Sequence, residues 1–126
     1  MHALKFAAAQ TPEFRESIDA ALEYLVECSA AAESESAELL VFPECFLQGY
    51  LLKESVARCH ALELASADFA TILQKFPMTG PMIVVGLIES EGGKLFNTAI
   101  VVRHKQLIGR YRKRHLLKGE MIFSRG

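Results

Sequence analysis

Apolar residues recur along this chain with two periods, and the switches between them lay out a sheet crossed by helices. Leu4 to Gln10 is a small apolar run and reads as a first strand, covered on both faces. Thr11-Pro12-Glu13 reads as a helix start, with Thr as N-cap, Pro at the first helical position and Glu in the first turn. From there to about Ser34, Ile18, Ala21, Leu22, Leu25, Val26, Ser29 and Ala32 fall on one stripe, and Asp19, Glu23 and Glu27 lie off it. Leu39 to Phe42 is a second strand. Strand, long helix, strand predicts a βαβ unit with two parallel, adjacent strands. Leu52 to about His60 reads as helical. A further helix runs from Ala67 to Phe76, with Ser66 as N-cap and Phe69, Ile72, Leu73 and Phe76 on its buried face.

Pro77 to Pro81 ends that helix, and the period changes to two. Met82 to Glu89 is a third strand and Leu95 to Val102 a fourth. They are joined by the turn Glu91-Gly92-Gly93-Lys94 and so pair as an antiparallel hairpin. After the turn at His104-Lys105-Gln106, Leu107 to about Lys113 is a fifth strand. The order is β-α-β-α-α-β-β-β, an α/β unit that opens parallel and continues as a meander.

The composition fits one globular unit. The 126 residues are 51% hydrophobic and 23% charged, and a chain of this length can bury ~65% of its unfolded surface. A net charge of −1 gives no global attraction to nucleic acid or an anionic membrane. Basic residues nevertheless cluster locally: no acid lies between Glu91 and Glu120, whereas Arg103, Lys105, Arg110, Arg112, Lys113, Arg114 and Lys118 all do. Cys28, Cys45 and Cys59 have no metal-ligand spacing and read as free thiols of a cytoplasmic protein. The opening apolar stretch is too short for a signal peptide, and no run approaches membrane-spanning length. His60 has no paired ligand nearby and reads as a surface or capping residue rather than a metal ligand.

The stretch LLVFPECFLQGY, Leu39 to Tyr50, carries the first candidate chemistry. Pro43 cannot donate to a ladder and stops the strand, so Glu44 sits at its carboxyl end, where open α/β sheets hold ligands. Apolar neighbours would raise the pKa of that carboxyl and suit it to general-base work; the alternative is a loop glutamate in water. The second stretch is LIGRYRKRHLL. Period-two alternation puts Leu107, Gly109, Tyr111, Lys113 and His115 on one face and Arg110, Arg112 and Arg114 on the other. This is open to three readings: a lysine lined up with a site, a solvated basic edge strand, or a nucleic-acid patch.

Phe42-Pro43-Glu44, then Gly109 to Leu116, then Glu120, taken in that order, resemble the nitrilase superfamily of carbon–nitrogen hydrolases. The strand ending in Ala9-Gln10 and the run Leu95-Phe96-Asn97-Thr98-Ala99 are also similar to that family. The resemblance covers residues 1–126 as the N-terminal part of a family domain. It implies an α/β fold, an α-β-β-α sandwich of which this chain supplies an incomplete N-terminal half. It further implies Glu44 as general base, Lys113 as the cation that stabilises the oxyanion, Glu120 as a supporting carboxylate and Tyr111 as a packing neighbour. The family's nucleophilic cysteine follows the lysine, and no cysteine follows Lys113 here. Cys45 adjoins Glu44, but neighbours on an extended chain point apart.

The expectation is therefore the N-terminal part of an amidase-type hydrolase acting on a small amide or nitrile, inactive alone. The alternative is a non-catalytic interaction or ligand-binding module of the same fold. No cofactor, metal, nucleic acid or membrane is expected as partner. An open sheet face predicts a homo-oligomer or a complementing fragment.

Overall fold

The computed structural model describes residues 3–126. Its elements are β1 (Phe6–Ala8), α1 (Ile18–Ser34), β2 (Leu39–Val41), α2 (Glu54–His60), α3 (Ala67–Gln74), β3 (Met82–Glu91), β4 (Lys94–Arg103) and β5 (Gln106–Arg112). A 3-10 turn follows at Lys118–Glu120. The strands form one five-stranded sheet in the order β1-β2-β3-β4-β5. β1, β2 and β3 are mutually parallel, and β3, β4 and β5 are antiparallel neighbours. The fold is α/β, as the pattern predicts.

The two faces of the sheet are buried unequally. Leu40, Ile83, Val85, Leu87, Ile100 and Val102 point to the helices and are buried with Leu22, Leu25, Phe69, Ile72 and Phe76. On the opposite face Leu39, Val41, Met82, Val84, Ala99 and Val101 are only half-buried. Among the described residues, α1 and α3 cover one face, while α2 and the segment after β5 pack only over the Ile88 and Leu95 end of the other.

Three expectations are corrected. β1 is shorter than Leu4 to Gln10 and is not covered on both faces: it is an edge strand, with Leu4 58% and Phe6 65% exposed. α1 begins at Ile18 rather than at Thr11, with Ser17 as the N-cap accepting from the Ala20 N–H at 3.3 Å. Tertiary contacts outcompete the local helix signal there. The Glu13 carboxylate accepts from the Tyr50 N–H at 2.8 Å, Glu16 N–H donates to Gln48 O at 2.8 Å, and Phe14 packs edge-on to Phe46. Glu16 takes a left-handed φ of 56° to make the turn into α1.

The third correction concerns β5. Val102 pairs with Leu107 and Val101 with Gly109, so Ile108 is an extra residue in a β-bulge. Leu107 therefore joins the helix-side core, while Gly109, Tyr111 and Lys113 share the opposite face. Arg110 and Arg112 fall on the helix side and meet Glu89, which is 1% exposed. Arg112 makes a two-pronged contact with it at 2.9 and 2.8 Å, and Arg110 adds a bond at 3.0 Å. Thr98 Oγ1 also donates to Glu89, and the Arg112 guanidinium stacks 3.7 Å from the Phe96 ring centroid. β5 is an edge strand of the sheet, and these two arginines are taken up by acids of β3, both by Glu89 and Arg112 also by Glu91 at 2.9 Å.

Candidate functional site

After β2 the chain does not leave the sheet. Phe42 N–H donates to Val84 O at 2.8 Å and Leu47 N–H to Gly86 O at 3.2 Å, so residues 42–48 lie along β3. Between those rungs the backbone crosses directly over Gly86. A Cβ there would sit 2.5 Å from the Pro43 carbonyl oxygen, 2.5 Å from the Cys45 nitrogen and 2.7 Å from the Glu44 Cα. Only glycine leaves room for that backbone. Gly86→Ala is expected to destabilise the fold by ~2–3 kcal/mol through overpacking, measured by urea denaturation; a loss under ~0.5 kcal/mol would show that the crossing yields freely.

The loop divides its side chains between two sides. Cys45 adopts a left-handed φ of 51° and turns into a second apolar cluster with Leu51, Ala57, Ile88, Leu95 and Phe123. It is wholly buried, and burial first, then the Glu44 and Glu120 charges, push its thiol pKa up to about 12. Such burial favours the protonated thiol at neutral pH. Glu44 turns the other way, with its side chain 54% exposed. Val41, Phe42, Val84 and Ala99 line the hollow beside it, but its close partner is a cation.

That partner comes from the end of β5. Lys113 N–H donates to Asn97 O at 2.8 Å, one step beyond the last β4–β5 pair, Thr98 with Arg112. Its side chain rises from the open sheet face, and Nζ lies 3.0 Å from Glu44 Oε1 and 3.0 Å from Glu120 Oε1. Three residues named from the sequence, the first two 69 positions apart, converge on one ammonium group. Tyr111 is 60% exposed; it lines a hollow of about 260 Å³ beside Glu44 and Lys113 rather than packing as a neighbour. A second hollow of about 210 Å³, lined by Glu13, Pro43, Gly49 and Tyr50, adjoins Glu44 from the other side.

Glu120 is wholly buried. Burial alone would raise its pKa, but donors outweigh that effect. Leu117 N–H donates to Oε1 at 2.9 Å, Lys113 to the same oxygen, and the Asn97 amide to Oε2 at 3.1 Å. The nearby Tyr50 hydroxyl also favours the charged form, and the carboxyl is held down at about 2. In return Tyr50 is pushed up to about 12, by burial first and then by Glu120. The Lys113 pKa is raised by its bonds to Glu120 and then Glu44, so its ammonium form is fixed at neutral pH.

Asn97, Tyr50 and Gln48 were not singled out as site residues by sequence reasoning. For Asn97 a signal existed, since a polar residue interrupts the apolar alternation of β4 at the position opposite the end of β5. Among the described residues, no three His, Cys, Asp or Glu side chains converge as metal ligands, and no helix is long and apolar enough to cross a membrane.

Comparison with known proteins identifies the family and the fold. The carbon–nitrogen hydrolase family model matches residues 5–125. A nitrilase of Pyrococcus abyssi is 37% identical over 95 residues, which are 73% of this chain and 36% of that protein. An (R)-stereoselective amidase of a Pseudomonas species is 31% identical over 83 residues, 66% of this chain and 30% of that protein. The chain thus spans about a third of the length of these curated relatives. In structure, the glutamine-dependent NAD+ synthetase of Acinetobacter baumannii superposes with a TM-score of 0.82 at 22% identity, covering 100% of this chain and 24% of that one. With a family model spanning nearly its whole length and a shared fold, this chain belongs to the carbon–nitrogen hydrolase family, within the nitrilase superfamily.

Proposed function

We propose that this chain supplies the base and the cation of an amidase-type active site, and that the nucleophilic cysteine comes from outside these 126 residues. The observation that carries the reading is the Lys113 ammonium held 3.0 Å from both Glu44 and Glu120. In the first step Glu44 takes the proton of the thiol as sulfur bonds to the amide carbonyl carbon. The carbonyl π pair moves onto oxygen, and Lys113 stabilises that oxyanion. Collapse breaks the C–N bond, and the leaving amine takes the proton back from Glu44. Water then loses a proton to Glu44 while attacking the thioester, and the acid leaves as the thiol is restored. Glu120, buried and anionic, keeps Lys113 charged and directed at this spot. Amides are preferred to nitriles as substrates, in keeping with the amidase relative, and three free thiols suit a cytoplasmic setting.

Ammonia release from a panel of simple amides and nitriles tests the proposal. The product of the complete source gene should turn them over in a thiol-dependent way. The 126-residue chain alone should lack this activity, because loss of a nucleophile costs ~10⁴–10⁶ in rate. Turnover by the chain alone that disappears in Cys45→Ala would show the nucleophile to be misassigned.

A second reading, a non-catalytic interaction module, draws on the half-buried sheet face and the exposed β1 edge, with Phe6 65% exposed. Apolar faces of more than a few hundred Å² and open edges recruit partners. Under either reading the isolated chain is expected to self-associate, as a symmetric dimer that buries the sheet, or to take up a complementing fragment. Sedimentation at micromolar concentration checks this; a stable monodisperse monomer of 14.0 kDa would count against it.

A further inference from the structure

Gln48 is wholly buried, yet the chemistry above gives it no part. Its amide is fully occupied. Oε1 accepts from the Ile88 N–H at 2.9 Å, while Nε2 donates to Ile88 O at 2.9 Å and to His60 O at 3.2 Å. One side chain thus pairs with both backbone groups of a β3 residue, as a neighbouring strand would. It does so where β2 has already ended, at Val41, and just after the loop has crossed Gly86. Its backbone is tied as well, since Gln48 O accepts from Glu16 and the next residue, Gly49, donates to Cys45 O at 2.8 Å.

We propose that Gln48 is the positioning residue of the Glu44 loop: its amide pins the loop to β3 at Ile88, and so holds Glu44 in reach of Lys113. Glu44 lies four residues before this anchor, and Tyr50, which reaches Glu120, lies two after it. A leucine in place of Gln48 would fill similar space but leave the Ile88 N–H without its side-chain acceptor, and a loop free to lift seeks water for it. The inference builds on Glu44 and Lys113 as the reacting pair, but its test reads their geometry and not turnover. A site that proves inactive leaves it standing.

The test is a cycle of variants read by lysine side-chain ¹⁵N NMR of the 126-residue chain, with the Lys113 Nζ signal assigned through Lys113→Arg. Glu44→Gln shifts that signal in the wild-type background. In Gln48→Leu the shift caused by Glu44→Gln is expected to fall to less than about a third of its wild-type size, as coupling is lost when contact is lost. The same shift in both backgrounds would overturn the proposal. Should Gln48→Leu fail to fold, Gln48→Glu carries the decision. Its neutral acid can accept from the Ile88 N–H and donate its single O–H to the Ile88 carbonyl, giving up only the longer bond to His60, whereas its carboxylate faces two carbonyl oxygens. That variant is expected to show a pH step in the Nζ signal absent from the wild type, with native coupling on the acid side. A folded Gln48→Glu protein without that step would also overturn it.

Discussion

Glu44→Gln is expected to lower kcat/KM for amide hydrolysis by ~10⁴-fold in an enzyme that joins this chain to a nucleophilic cysteine. Glutamine keeps the shape of the side chain but cannot take a proton from the thiol or from water. The loss should fall on kcat, with KM little changed, because the proton moves only as the transition state forms. Lys113→Ala should cost as much or more. It removes the positive charge aimed at the oxyanion and leaves two carboxylates, Glu44 and the buried Glu120, facing each other without their shared cation. The double variant should be scarcely worse than either single one, since groups that act as a unit fail together. Steady-state kinetics on the three variants decides the matter. A Glu44→Gln enzyme within tenfold of wild type would remove Glu44 from the reaction.

Some of this site was legible before any coordinates and some was not, for reasons that differ by residue. Leu39 to Phe42 was legible as a strand, four apolar residues ended by a proline that cannot donate to a ladder, although only Leu40 and Phe42 of the four are fully buried. Ser66 was legible as a cap, and its side chain does accept from the Phe69 N–H at 3.1 Å. The helix at Thr11 was misread because local signals carry no knowledge of tertiary partners. Glu13 is a fair first-turn residue, but here it serves the Tyr50 N–H. The faces of β5 were misread at Leu107 because one extra residue, Ile108, resets a period of two without leaving any mark in composition.

The site residues were a different case. Periodicity offered Glu44 and Lys113 only as candidates among alternatives, and their pairing came from the family resemblance. The distance between them along the chain is closed by the parallel β2–β3 ladder and the two antiparallel ones after it, which no local pattern encodes. Gln48 was invisible for a further reason. A glutamine near a glycine reads as loop, and nothing in sequence says that its amide will stand in for a strand.

Glu120→Leu is expected to destabilise the fold by ~3–5 kcal/mol at pH 7, the cost of breaking a buried ion pair from one side. The leucine would leave the Leu117 N–H and the Asn97 amide without their acceptor and Lys113 with only the half-exposed Glu44. Glu120→Gln should cost less, since its carbonyl can still accept from Leu117, but it forfeits the charge. The pH dependence separates this account from simple packing loss. The Glu120 pKa is depressed in the folded state, from an ordinary 4.5 to about 2. Its contribution is therefore complete above about 4.5 and is lost as pH falls through about 2. Glu120→Gln has no such titration, so the stability gap between it and wild type should narrow steadily across that window. Urea midpoints at several pH values between 7 and 2 measure the gap. A gap that stays constant to the acid limit would mean that the Glu120 charge does not stabilise this fold, and that only its shape is used.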